Sequence, residues 1–224
     1  MTDQDEYVHR QAAHRRLSTP DERYGARLQR RSTAAALLRH VVTQETANLA
    51  ATLERLQADG SLEQAARRIV AAKRRFITGG SKSLSYASLL ATDLSASMAN
   101  VTLIDGTVVR AVDVLSDVRA GDVLVAFSLR RYARSTIATA EEFAAAGGTV
   151  VGVTDDADSA VAKAAEVAVV VSTDSASYAD SPTAVAAVAH ILATLAAASA
   201  KGARRRLARR DALTARLGVY AEGE

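Results

Sequence analysis

Three short segments of this chain gather the residue types that hold or move charged groups. The first, Gly79-Gly80-Ser81-Lys82-Ser83, lies between a β-rich run and a helical one. Two glycines let the backbone turn closely, and the start of the next helix offers unpaired N–H groups and a positive dipole end to an anion. By position it is a phosphate cradle; the competing reading is a serine-capped helix after a tight turn. It has neither the spacing of a P-loop nor the G-x-G-x-x-G of a dinucleotide fold, which argues against nucleotide binding. The second segment, Ser128-Leu129-Arg130-Arg131-Tyr132-Ala133-Arg134-Ser135-Thr136, collects arginines, hydroxyls and a tyrosine between a strand and a helix. Its arginines serve a ligand or an interface unless they form only a solvated face. The third, Thr154-Asp155-Asp156-Ala157-Asp158-Ser159, carries carboxylates that would suit metal or acid–base work. The plainer reading is structural, with Asp158 or Ser159 capping the next helix and Asp155 fixing the neighbouring loop.

Other chemistries are narrowed by what the chain contains. Zero cysteines exclude a disulfide framework, a thiol nucleophile and a zinc–thiolate site. His9, His14, His40 and His190 show no ligand spacing, so neither a metal nor a cofactor is expected. The net charge of +3 is small, yet the basic residues cluster at Arg15-Arg16, Arg30-Arg31, Arg67-Arg68, Lys73-Arg74-Arg75, Arg130-Arg131 and Arg204-Arg205-Arg206. The guanidinium fork suits phosphate, which leaves nucleic acid and phosphorylated small molecules both open. A genome rich in G and C, which inflates Ala and Arg, is the bland alternative.

The elements that must position these segments follow from periodicity. Residues 1–31 are polar, hold too few apolar positions for a core and contain Pro20, which breaks any continuous helix; they read as an arm or a linker remnant. From Ser32 the spacing of Leu38, Val41, Val42, Leu49, Leu53 and Leu56 predicts one long amphipathic helix over 33–57, ended by Asp59-Gly60. Ser61 followed by Gln64 resembles a capping box that opens a second helix to about Ala72. Beyond Arg74, strands are expected over 75–78, 101–104, 122–127, 149–154 and 167–172. Helices are expected over 84–98, 109–115, 135–146, 159–165 and 182–200, with a tail helix around 204–217. Alternation of this kind predicts an α/β fold: a three-layer, doubly wound, five-stranded parallel sheet of flavodoxin-like type with helical additions at both ends. Ligands in such folds collect outside the carboxyl ends of the strands, where strand order reverses, and that rule selects the loops above. No apolar run reaches the length of a membrane span, and the first 20 residues lack a signal-peptide core, so a soluble cytoplasmic protein is expected.

The order from the strand and Gly79-Gly80-Ser81-Lys82-Ser83 turn, through Gly121-Asp122-Val123-Leu124-Val125-Ala126-Phe127-Ser128, to Gly147-Gly148-Thr149-Val150-Val151-Gly152-Val153-Thr154-Asp155 resembles a sugar isomerase (SIS) domain. The variant Ser128-Leu129-Arg130-Arg131-Tyr132 resembles in particular the SIS domain of MurR/RpiR-type bacterial transcriptional regulators. The resemblance covers roughly 33–218 and assigns 32–218 to the domain, with 219–224 as a tail. In that family a G-x-G-x-S turn and an S-x-S-G-x-T loop hold the phosphate and hydroxyls of a phosphosugar. Gly79, Ser83 and Ala87 fit the first pattern, with Ser81 standing at its second glycine. The second pattern is matched only at Ser128; Arg130 and Arg131 replace its second serine and its glycine, and Thr136 stands for its closing threonine only if the loop is longer than usual.

The resemblance implies a phosphosugar-binding sensor, with Gly79, Gly80, Ser81, Lys82, Ser83, Ser128, Arg130, Arg131 and Thr136 as its ligand-binding residues. No base for aldose–ketose isomerisation is matched: Glu141 and Glu142 fall inside a helix, and His190 is expected to be packed on the last helix. A sugar-phosphate isomerase and a ligand-free dimerisation module are the alternatives. Homo-oligomerisation is expected through apolar sides left over on the helices over 33–57 and 204–217. Residues 1–31 are too few for the helix-turn-helix domain that full-length regulators of this type carry, and no sequence-specific DNA binding or membrane contact is expected.

Overall fold

A computed structural model of the chain describes residues 19–28 and 33–220. The expected clusters at Arg15-Arg16 and Arg30-Arg31, as well as His9 and His14, lie outside these residues. Helix α1 (Pro20–Arg27) is followed by α2 (Ala34–Asp59) and α3 (Ser61–Ala71). The alternating part then runs β1 (Arg74–Gly79), α4 (Ser83–Ser97), β2 (Val101–Ile104), α5 (Ala111–Leu115), β3 (Asp122–Ser128), α6 (Arg134–Ala145), β4 (Thr149–Thr154), α7 (Ala160–Ala164) and β5 (Val167–Val170). Two helices close the chain, α8 (Thr183–Ser199) and α9 (Ala203–Arg216).

All five strands are parallel, in the order β2-β1-β3-β4-β5. The period-2 alternation of a strand divides the core in two. Ile77, Val123, Val125, Phe127, Val151, Val153 and Val169 face one side, against Leu56, Ile69, Leu90, Leu94, Val188 and Leu192 of α2, α3, α4 and α8. Phe76, Leu124, Ala126 and Val150 face the other, against Phe143 and Val161 of α6 and α7. Strand order reverses between β1 and β3, the two central strands, which pair from Arg74↔Asp122 to Gly79↔Phe127. Both end side by side, and their following loops leave the sheet next to one another.

Pro20 opens α1 at its first position, where the missing N–H would have had no partner in any case. Three local expectations are corrected. The capping box at Ser61 and Gln64 does not form. Gly60, at φ 67, ends α2 and starts α3 without an intervening loop, which places Ser61 inside α3 with its hydroxyl buried and without a partner among the described residues. The Asp59 carboxylate instead accepts the Ser61 N–H at 2.8 Å. Strand β5 stops at Val170 rather than at 172, because the Ser172 N–H leaves the ladder for the Thr52 hydroxyl at 3.0 Å. His190 is not packed: its side chain is 75% exposed, and the nearest carboxylate, Asp93, is 4.0 Å away.

Candidate functional site

The segment between β5 and α8 has no regular structure, and α2 holds it in place. Glu45, Asn48, Thr52 and Arg55 recur at three- and four-residue spacing, so they share one face of α2. Glu45 accepts from the hydroxyls of Ser181 and Thr183, and the Asn48 amide donates to the Asp174 carbonyl. Thr52 accepts from Ser172, and the Arg55 guanidinium donates to the Val170 carbonyl at 2.7 Å. This strap carries Tyr178, Ala179, Asp180 and Ser181 across the carboxyl ends of β1 and β3.

Helix α1 lies against the strap. Thr19 and Glu22 close a reciprocal capping box at its start. Arg23, only 2% exposed, forms an ion pair with Asp180, and Arg27 donates to the Ser177 carbonyl at 2.8 Å. Between α1, the strap and the two loops lies a cavity of about 190 Å3. Its walls include Arg23, Gly80, Ser81, Lys82, Ser83, Ser128, Arg130, Arg131 and Asp180. It is smaller than the roughly 300–1,000 Å3 typical of drug-sized ligands, a size that suits a compact one.

Within the first loop Ser81 sits at φ 55, in the left-handed region. The N–H groups of Ser83, Leu84 and Ser85 fold back on the carbonyls of Gly80, Ser81 and Lys82 at 3.0–3.1 Å. Lys82 occupies the N-cap of α4 with no side-chain cap, so the serine-capped alternative is not what this turn adopts. The Lys82 ammonium donates to the Asp180 carbonyl at 2.6 Å, tying loop to strap. Close approach requires glycine here. A Cβ on Gly79 would come within 2.6 Å of the Ser83 carbonyl oxygen, and one on Gly80 within 2.3 Å of the Ala133 methyl.

The second loop has the same character. Arg131 sits at φ 65, and α6 begins at Arg134. The loop is therefore not lengthened, and Thr136 already lies in the first turn of α6. It is 2% exposed, faces Gly80 and does not line the cavity. Ser128 is 2% exposed and lines the cavity, and its Oγ has no hydrogen-bond partner among the described residues. A buried hydroxyl without a partner costs free energy, on the order of 1–3 kcal/mol, until something binds it.

The third loop supports the second, as expected of Asp155. Its Oδ2 accepts the Arg130 N–H and the Thr173 hydroxyl, each at 3.3 Å, and lies 3.6 Å from Arg130 Nε. Burial pushes the Asp155 carboxyl above its ordinary pKa, partly offset by the charge of Arg130. Burial likewise raises Tyr132, and Tyr86 in the cavity wall is pushed up to about 12 by burial and by the charges of Asp180 and Glu45. Ser159 caps α7, accepting from the Ala162 N–H at 3.2 Å. Among the described residues no group of acidic and histidine side chains could hold a metal ion.

Seven of the nine residues expected from the sequence thus line one cavity, Gly79 and Thr136 being the exceptions. Sequence reasoning missed Arg23, Tyr86 and Asp180. The first belongs to a segment read as a polar arm, and the last to an irregular strap; neither carries a periodic signal. The capping pair Thr19 and Glu22, flanking Pro20, could have announced α1.

A parallel 2-1-3-4-5 sheet with an anion-suited cleft at its switch point defines a doubly wound ligand-binding domain. The family model for the SIS domain matches residues 68–201, more than half of the chain, and the chain belongs to that family. A search of curated proteins found no match. Among solved structures, the sugar isomerase domain of an RpiR transcription factor from Sphaerobacter thermophilus is 25% identical with a TM-score of 0.71, over 77% of this chain and 96% of that one. The NanR protein of Vibrio vulnificus, complexed with ManNAc-6P, is 16% identical with a TM-score of 0.66, over 84% of this chain and 71% of that one. A phosphoheptose isomerase from Francisella tularensis is 14% identical with a TM-score of 0.62, over 74% of this chain and 98% of that one.

Proposed function

We propose that this chain is a phosphosugar-sensing SIS domain of the transcriptional-regulator kind, that it acts as a homo-oligomer, and that it does not catalyse isomerisation. The observation that carries the reading is the orphaned Ser128 hydroxyl, facing a cavity walled by Arg23, Arg130 and Arg131. A phosphate would meet those guanidinium groups, together with the Ser81 and Lys82 N–H groups at the start of α4. Sugar hydroxyls would satisfy Ser128 and Ser83. The sensor reading is supported over the isomerase by the titratable lining, because Asp180 is the cavity's one carboxylate among the described residues and it is engaged by Arg23. A proton shuttle between adjacent sugar carbons needs a base positioned at hydrogen-bond distance from them.

A thermal-shift screen of sugar phosphates tests the proposal, with the parent sugars and inorganic phosphate as comparisons. A ligand at 100 times its Kd adds about 2.7 kcal/mol of stability. The expected result is stabilisation by at least one sugar phosphate and none by its parent sugar, without conversion of the ligand in an isomerisation assay. No stabilisation by any of them would leave an interaction module, and turnover would make the chain an isomerase.

A further inference from the structure

A second cavity, of about 650 Å3, lies at the opposite end of the sheet, where Arg75 is the second residue of β1 and Ala99 precedes β2. Arg75 is spent on structure, donating to the carbonyls of Ile69, Val70 and Ala99. The outer wall is Lys201 and the start of α9, which supplies Arg205, Arg206 and Arg209; among the described residues no carboxylate lines the cavity.

Residues 201–216 hold seven basic side chains and one acidic one, a net +6. The whole chain carries +3, so the remaining residues sum to −3. Positive charge is therefore concentrated on one helix, which leaves α8 at 109°. Only Ala203 of α9 is buried, and Arg206 reaches back to the Ser95 carbonyl at 3.2 Å. Arg205, Arg209 and Arg216, at i, i+4 and i+11, fall within about 40° of one another around the helix. None of these three is ion-paired among the described residues. Such an array is repelled by its own neighbours and has no ion-pair partner among the described residues.

From this array we infer that α9 and the groove at its foot bind the phosphate backbone of duplex nucleic acid without reading its sequence. The helix is about 21 Å long. Duplex DNA presents one negative charge per about 1.7 Å of axis, so it matches a line of unpaired arginines over that whole length, as a small anion cannot. A second copy of this chain on the same face would set one arginine stripe against another in a two-fold interface. A membrane surface needs a clean apolar face, whereas Arg206 and Arg210 interleave with Leu213 and Leu217 around the helix.

The test is fluorescence anisotropy of the full chain with a labelled 24-base-pair duplex of arbitrary sequence, from 50 to 200 mM salt, beside sedimentation with phosphatidylserine vesicles. With four or five arginines on phosphates, affinity falls roughly 150- to 500-fold across that range. The triple change Arg205→Gln, Arg209→Gln and Arg216→Gln makes the logarithmic salt slope shallower by about 3, whereas the same three positions changed to Lys keep it. Changing the exposed residues Arg39, Arg67 and Lys163 to Gln leaves the slope as in the wild type. Salt-independent binding, a wild-type slope in the glutamine triple, an equal loss in the control, or binding to vesicles but not to duplex overturns the inference.

Discussion

Ser81 and Arg131 are where individual side chains and backbone geometry are most at odds. Each sits in the left-handed region, at φ 55 and φ 65, and each stands where the resembling phosphosugar-binding patterns have glycine. A side chain in that region costs about 1–2 kcal/mol, against the 0.5–1 kcal/mol of extra chain entropy that glycine loses on folding. The backbone has thus kept both glycine-type turns although the glycines are gone. Ser81→Gly and Arg131→Gly should each raise stability in urea by about 0.5–1 kcal/mol. They should part company in calorimetry with a sugar phosphate. Ser81→Gly keeps the N–H groups that meet the anion and so keeps affinity, whereas Arg131→Gly deletes a charge-assisted contact and loses about 1.5–3 kcal/mol of binding. Two destabilised variants would refute the strain account, and undiminished affinity in Arg131→Gly would remove that arginine from the site.

Elements differ in how plainly they are written. Strands β2 and β4 have the bounds that their Val-, Ile- and Thr-rich runs predict, because such runs favour extended backbone and the turn-forming residues that flank them, Asn100 and Asp105, Gly148 and Asp155, stop them. The loops after β1 and β3 were legible for a related reason: in a doubly wound sheet, position along the chain fixes position in space. The strap over 171–182 was not legible. It has no period, and its fastening lies on α2, whose apolar residues drew attention from the polar row Glu45, Asn48, Thr52 and Arg55. Asn48 is the centre of that row, 4% exposed, with its amide on the Asp174 carbonyl and its oxygen accepting from Gln44 and Ser172. Asn48→Ala should cost about 1–3 kcal/mol of stability, since the Asp174 carbonyl is left without its donor. The loss should appear first as faster amide exchange in the strap and weaker phosphosugar binding, with the sheet still protected. A uniform loss of protection across the sheet would mean that strap and sheet unfold together.

At the scale of the whole molecule, the sheet is covered on both faces, yet apolar surface is left over on the amino-terminal half of α2. Leu38 is 63% exposed and Val42 is 54% exposed, one turn apart on the same face. The carboxyl-terminal half of the same helix is fully engaged: Leu56 is buried in the core, and the polar row holds the strap. On the proposed homo-oligomeric reading, the exposed half is the surface that a partner would cover. The occupant that fits is a second copy, because two α2 helices crossing about a two-fold axis bring each Leu38 and Val42 against its equivalent. A stable interface needs about 1,200–2,000 Å2 in total, more than one helix turn supplies, so neighbouring surface must join it. The expected outcome in sedimentation equilibrium at micromolar concentration is twice the chain mass. Leu38→Glu combined with Val42→Glu should shift that to a monomer, because two carboxylates desolvated against their copies cost several kcal/mol. The same variant should keep its circular dichroism spectrum, since neither side chain belongs to the core. A monomeric wild-type chain would refute the assignment, as would a dimer that tolerates both glutamates.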